Sequence, residues 1–140
     1  MHKIMHAALL STLLASPAWA AADTKVLDHH VANMKSGNLE AVLSDYAPDA
    51  VVVTPAGMVS PDGVFVGSET RKLFSVLAGK DSLPGNKTMQ TKYQSAGADT
   101  SIMQWVQFKG TPKEISGYDV FVVRGGKIVF QTVVVNPAKK

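Results

Sequence analysis

The chain of 140 residues contains no cysteine. That absence excludes disulfides, thiolate nucleophiles and thiolate zinc sites, and leaves no cysteine to carry a lipid. Stability must then come from a packed core or a partner subunit. Charge is also sparse, at 18%, and the net +3 comes from 14 basic and 11 acidic residues scattered along the chain. No basic stripe interleaved with aromatics is present, which argues against a nucleic-acid partner, and Lys139-Lys140 reads as a solvated tail. No apolar run reaches the ~18 residues of a membrane span. What is plentiful is apolar material, 46% of the residues, enough for the core of one globular domain.

The N-terminus has a specific pattern. Lys3 precedes the apolar run MHAALLSTLLASP, and Ala18-Trp19-Ala20 is a small-x-small cleavage signal. Residues 1–22 therefore read as a secretory signal peptide, cleaved after Ala20 or after Ala22. The mature protein, residues 23–140, is expected to be a single domain, periplasmic or secreted, with no membrane attachment once the signal is removed.

In the mature chain, Leu27, His30, Val31 and Met34 fall at the spacing of one buried helical face, predicting a helix over 24–36. Gly37 breaks it. Asn38 can cap a second short helix carrying Leu39, Val42, Leu43 and Tyr46, which Pro48-Asp49 ends. Residues 50–54 form a β-branched run, hence a strand, followed by two turn clusters. Ser68 can cap a third helix with Leu73, Phe74 and Leu77 as its stripe, and residues 79–86 read as a loop rich in Gly, Ser, Pro and Asn. Strands are predicted over 87–95, 100–109, 115–124 and 127–136, the last two joined by a Gly125-Gly126 hairpin. Helices followed by hairpin-linked strands predict an α+β domain, with three helices over one face of a curved sheet.

Two polar residues fall on apolar faces. His30 lies on the first helix's stripe, whereas His29 is rotated toward Val26 and Asn33. On 115–124 the odd positions place Asp119 among Ile115, Gly117, Phe121 and Val123, which reads as the inner set, although the even positions Tyr118, Val120 and Val122, between Ser116 and Arg124, are apolar as well. A buried carboxylate has to be paired, hydrogen-bonded or protonated. Taken singly, each residue also fits a structural role. A metal site is not indicated, because adjacent helical residues diverge by about 100° and neither histidine has a carboxylate four residues on. Phosphate-cradling loops and nucleophile elbows are absent too.

The segments GNLEAVLSDYAPDAVVV, GVFVGSETRKLF and DVFVVRGGKIVFQT resemble, in that order, the nuclear transport factor 2-like superfamily, and in particular its SnoaL-like and ketosteroid-isomerase-like branch. The resemblance implies a cone: a strongly curved mixed β-sheet wrapped around three N-terminal helices, with a small-molecule pocket at the wide end and commonly a homodimer. It puts the pocket hydrogen-bond donors on His30 and Asp119 and a further pocket tyrosine on Tyr46. Gln131 and Val135 match pocket-lining positions. The position of the steroid isomerase base falls on Thr54, which cannot take a proton from carbon at neutral pH, so the resemblance does not extend to 3-oxosteroid isomerisation. What it leaves is a cofactor-independent lyase or isomerase with His30 as base or hydrogen-bond donor, Asp119 as its partner and Tyr46, Thr54 and Gln131 shaping the polarity of the pocket, or a non-catalytic domain holding an apolar ligand or assembling as a homodimer. Trp105 is open between a cavity wall and a sheet or dimer surface, since its strand has apolar residues of both parities.

Overall fold

The computed structural model describes residues 24–138. The expected signal peptide with its two candidate cleavage sites, and the Lys139-Lys140 tail, lie outside the described residues. Within them the chain runs α1 (Lys25–Ser36), α2 (Leu39–Ser44), β1 (Tyr46–Val53), β2 (Val64–Val66), a 3-10 turn (Gly67–Glu69), α3 (Thr70–Leu77), α4 (Leu83–Thr88), β3 (Gln90–Ser95), β4 (Thr100–Gln107), β5 (Ile115–Arg124) and β6 (Lys127–Val135).

Local chemistry accounts for the helix ends. Helix α1 buries Leu27, His30, Val31 and Met34 and stops at Gly37, whose φ of 70° is left-handed and suits a residue without Cβ. The Asn38 side chain then accepts from the Ala41 N–H at 3.1 Å and starts α2. Helix α2 is shorter than the sequence predicts, so Tyr46 opens β1 instead of closing a helix. Pro48 explains this, because a proline in the helix would clash with the carbonyl four residues back, at Ser44, and it holds Ala47 extended. Ser68 sits inside the 3-10 turn and does not cap α3; the Glu69 carboxylate instead accepts from the Val66 N–H at 3.3 Å.

Segment 79–86 is not all loop. Leu83–Thr88 is helical, with Pro84 in its first turn, where the missing N–H is harmless. Gly85 lies in this helix because a Cβ there would collide with the Gln107 side chain. Asn86 fastens the helix: its Nδ2 donates to the Leu77 carbonyl at 2.7 Å, and its Oδ1 accepts from Gln107 Nε2 at 3.0 Å.

The six strands form one mixed sheet in the order β2-β1-β6-β5-β4-β3. Strands β3 to β6 pair antiparallel in succession, β1 joins β6 in parallel, and β2 pairs antiparallel with β1. The expected cone, a strongly curved sheet wrapped around three helices, is overturned here. The sheet is open and not strongly curled, with β2 and β3 as unpaired outer edges, and four α-helices accompany it. Sharp curvature needs bulges or kinks repeated across neighbouring strands. Register breaks occur only within the β1–β6 and β5–β6 pairings, while β3–β4 and β4–β5 pair without interruption.

The core fills the space between helices and sheet, around Leu27, Val42, Val52, Phe65, Leu73, Phe74, Phe121 and Ile128. Burial alternates along β5, with Gly117, Asp119 and Phe121 inward. In β6 a bulge interrupts the alternation: Val122 pairs with Phe130 but Val123 with Ile128, leaving Val129 over. Both Ile128 and Gln131 thereby face inward, although they differ in parity.

Candidate functional site

A cavity of about 430 Å³ opens between the helices and the inner sheet face. His30 and Met34 reach it from α1, Phe74 and Leu77 from α3, and Asn86 from α4, with Met89 just beyond that helix. Met103 and Trp105 of β4, Asp119 of β5, and Gln131, Val133 and Val135 of β6 form its floor. Met58 stands at its edge, so Met34, Met58, Met89 and Met103, every methionine between residues 24 and 138, line this one space.

Asp119 is 5% exposed, and both its oxygens are held. Oδ1 accepts from the Trp105 indole N–H and Oδ2 from Gln131 Nε2, each at 2.8 Å. Tyr46 adds a link behind them, its hydroxyl donating to Gln131 Oε1. Burial raises the Asp119 carboxyl to about 7, against the two hydrogen bonds, which favour the ionised form. Burial also pushes the Tyr46 phenol well above its usual value, with smaller contributions from the Asp119 and Asp45 carboxylates, so Tyr46 remains a proton donor.

Trp105 can lie along the sheet because its partner across β4–β5 is Gly117. A Cβ at Gly117 would collide with the indole ring and with the Val134 carbonyl, so the glycine makes room for the donor to Asp119. The sequence left the direction of Trp105 open; parity with Ser101 and Met103, and the bond to Asp119, turn its ring inward.

His30 is 3% exposed and stands edge-on to the rings of Tyr46, Phe74 and Phe121, at centroid distances of 5.5, 5.8 and 5.9 Å. Burial in this aromatic box lowers its pKa to about 4; Asp45 opposes the shift and His29 adds to it. At neutral pH His30 is an uncharged imidazole that offers hydrogen bonds and holds a proton only weakly.

The structure thus brings His30, Asp119, Trp105, Gln131 and Val135 to one cavity and places Tyr46 behind it as a hydrogen-bond partner. Thr54 is buried outside the lining, its hydroxyl directed to the Pro55 and Gly63 carbonyls. The carboxylate nearest in reach of His30 is not Asp119 but Asp45, whose Oδ2 lies 4.0 Å from His30 Nδ1. Nothing in the local sequence distinguishes Asp45 from the neighbouring Asp49; its place at the α2–β1 junction beside α1 does. A second hollow of about 370 Å³ lies on the opposite sheet face among Lys92, Gln104, Val106 and Tyr118, and Trp105 alone of the candidate residues borders it. Among the described residues no group of three or more His, Asp or Glu side chains could hold a metal ion.

This arrangement of helices and sheet recurs in solved structures. An NTF2-like protein of unknown function from Burkholderia xenovorans LB400 superposes with a TM-score of 0.62 at 16% identity, over 82% of this chain and 83% of that one. The fold is NTF2-like. A SnoaL-like protein of unknown function from Burkholderia thailandensis gives a TM-score of 0.58 at 17% identity, over 79% and 92% of the two chains. TerC, crystallised with polyporic acid, gives 0.58 at 18%, over 79% and 88%. By sequence, no family model and no curated protein matches the chain. Identities this low establish the NTF2-like fold and leave the chemistry to the site itself.

Proposed function

We propose that this protein binds a small, mainly apolar oxygen-bearing molecule in the cavity and acts on it as a cofactor-independent lyase or isomerase. The observation that carries the reading is the buried Asp119 carboxyl, fixed by Trp105 and Gln131 in the wall that His30 also lines. A carboxyl poised at about 7 takes and returns a proton readily at neutral pH. In an isomerisation Asp119 removes a proton from one carbon of the substrate and returns it to another. In a dehydration it takes the proton from carbon and passes it to the departing hydroxyl, which leaves as water. His30, uncharged, accepts a hydrogen bond from a substrate hydroxyl. The resemblance offers His30 as base or hydrogen-bond donor; burial of both groups favours Asp119 as the base and His30 as the hydrogen-bonding group. TerC supports small-molecule binding by analogy of fold.

The test is a panel of conjugated and β-hydroxy ketones followed by ultraviolet absorbance with residues 23–140. Wild type is expected to convert at least one of them, and Asp119→Asn to lose about a hundredfold or more while remaining folded. Equal rates for the two proteins overturn the reading. A second reading, binding without turnover, is favoured by Thr54, whose hydroxyl is committed to backbone carbonyls where the steroid isomerases carry a base. A ligand that co-purifies and is released unchanged supports it.

Export belongs to the proposal through residues 1–22 alone, and intact mass of the secreted chain reads the cleavage site. Self-association across the outer sheet face, where Tyr118 is 40% exposed, also belongs to it, and sedimentation velocity decides it.

A further inference from the structure

Asp45 is 4% exposed, yet the functional reading above gives it no part. Its backbone is pinned at the α2–β1 junction, where its carbonyl accepts from the Ile128 N–H at 2.9 Å. Its carboxylate faces α1. Oδ1 accepts from His29 Nδ1 at 2.6 Å, and Oδ2 accepts from Asn33 Nδ2 at 3.1 Å. That second oxygen also lies 4.0 Å from Nδ1 of His30. Among the described residues, His30 Nδ1 is the buried side-chain polar atom left without a hydrogen-bond partner. Two adjacent histidines, one with its side chain 60% exposed and one buried against the cavity, therefore converge on one carboxylate.

A neutral imidazole carries its proton on one nitrogen and a lone pair on the other. A lone pair on Nδ1 would face the carboxylate oxygen and be repelled, whereas an N–H there would be attracted. The low dielectric around His30 strengthens both effects. Other ionisable groups near the ring do not reverse the preference: Tyr46 keeps its proton and donates a hydrogen bond to Gln131 Oε1, and both Asp119 oxygens are engaged by Trp105 and Gln131.

We propose that Asp45 is a positioning residue that holds His30 in the Nδ1–H tautomer, so that the Nε2 lone pair is the one offered to a molecule in the cavity, and that His29, by holding the other oxygen, sets how far the carboxylate leans toward His30. The ligand feature implied is a hydroxyl or N–H that donates to Nε2. This deepens the proposed function, since it concerns the same cavity, but it is read without turnover and stands or falls separately.

The experiment is ¹⁵N NMR of the imidazole nitrogens in residues 23–140 as wild type, Asp45→Asn and His29→Gln. In wild type the His30 Nδ1 signal is expected in the range of a protonated ring nitrogen and Nε2 in the range of a lone-pair nitrogen. In Asp45→Asn the order inverts. In His29→Gln the freed carboxylate closes on His30, and the Nδ1 proton moves downfield. A wild-type His30 protonated on Nε2, or a tautomer unchanged in folded Asp45→Asn, overturns the proposal. If Asp45→Asn does not fold, His29→Gln decides: an unmoved Nδ1 proton overturns the assignment and a downfield shift upholds it. Loss of turnover with an unchanged tautomer would refute Asp45 as the positioning residue and leave Asp119 standing.

Discussion

At the scale of single residues, Trp105 reports on the site. Residues 1–22 hold the chain's other tryptophan, Trp19, so a chain of residues 23–140 has Trp105 as its sole indole. Its N–H donates to Asp119, whose carboxyl is raised to about 7 by burial. Trp105 emission is therefore expected to change with a midpoint near pH 7, and the transition is expected to disappear in Asp119→Asn. A flat profile in wild type would show that Asp119 does not titrate there. Gly117→Ala tests the same contact from beneath: its Cβ displaces the ring, so the emission maximum shifts and the pH transition weakens, at a cost in stability typical of overpacking, about 1–3 kcal/mol. Helical periodicity made His30 legible in the sequence, whereas alternation along 115–124 showed Asp119 only half, since Tyr118, Val120 and Val122 on the other face are apolar as well. Asp45 was illegible because its partners lie on another helix, 12 to 16 positions away in the chain.

Among the elements, α4 was the one concealed. Pro84, Gly85 and Asn86 are turn-forming types, but here each answers to a tertiary demand: a proline in the first turn, a glycine against Gln107, and an asparagine tying two other elements. Asn86→Ala leaves the Leu77 carbonyl and the Gln107 amide without those bonds. Unsatisfied buried groups cost about 1–3 kcal/mol, so the urea midpoint is expected to fall with its slope unchanged. An unshifted midpoint would mean water or neighbouring groups replace both bonds. Strand β6 hid its facing in another way. A strict alternation from Ile128 would turn Gln131 outward, and the extra residue Val129 turns it in. No composition signal marks that bulge, whereas the Gly125-Gly126 turn beside it was plain, with both glycines at positive φ.

For the whole molecule, the two buried titratable groups pull stability in opposite directions with pH. His30, lowered from 6.5 to about 4, binds fewer protons in the folded than in the unfolded chain between those values, so it makes stability rise with pH there. Asp119, raised from 3.8 to about 7, binds more when folded, so it makes stability fall as pH rises through that window. The two slopes offset one another between about 4 and 6.5, and a residual decline remains up to about 7. Asp119→Asn is expected to uncover the rise, and His30→Gln the fall, in chemical denaturation repeated across pH 4 to 8. Identical profiles in the variants and wild type would show that neither group carries the linkage. The order of helices and antiparallel strands was readable at this scale. The curvature was not, since it depends on where registers slip between strands.

The four thioethers around the cavity tie it to oxidation as well. Each sulfur is a soft, rotatable surface while reduced, able to reshape the walls around a guest without moving the backbone. Peroxide would turn any of them into a polar sulfoxide, and because they all border the same space, damage that would be scattered in most proteins would here concentrate on one binding surface. Such a chain could stay folded, with Phe121, Leu27 and Ile128 still sealed in the core, and yet lose its guest.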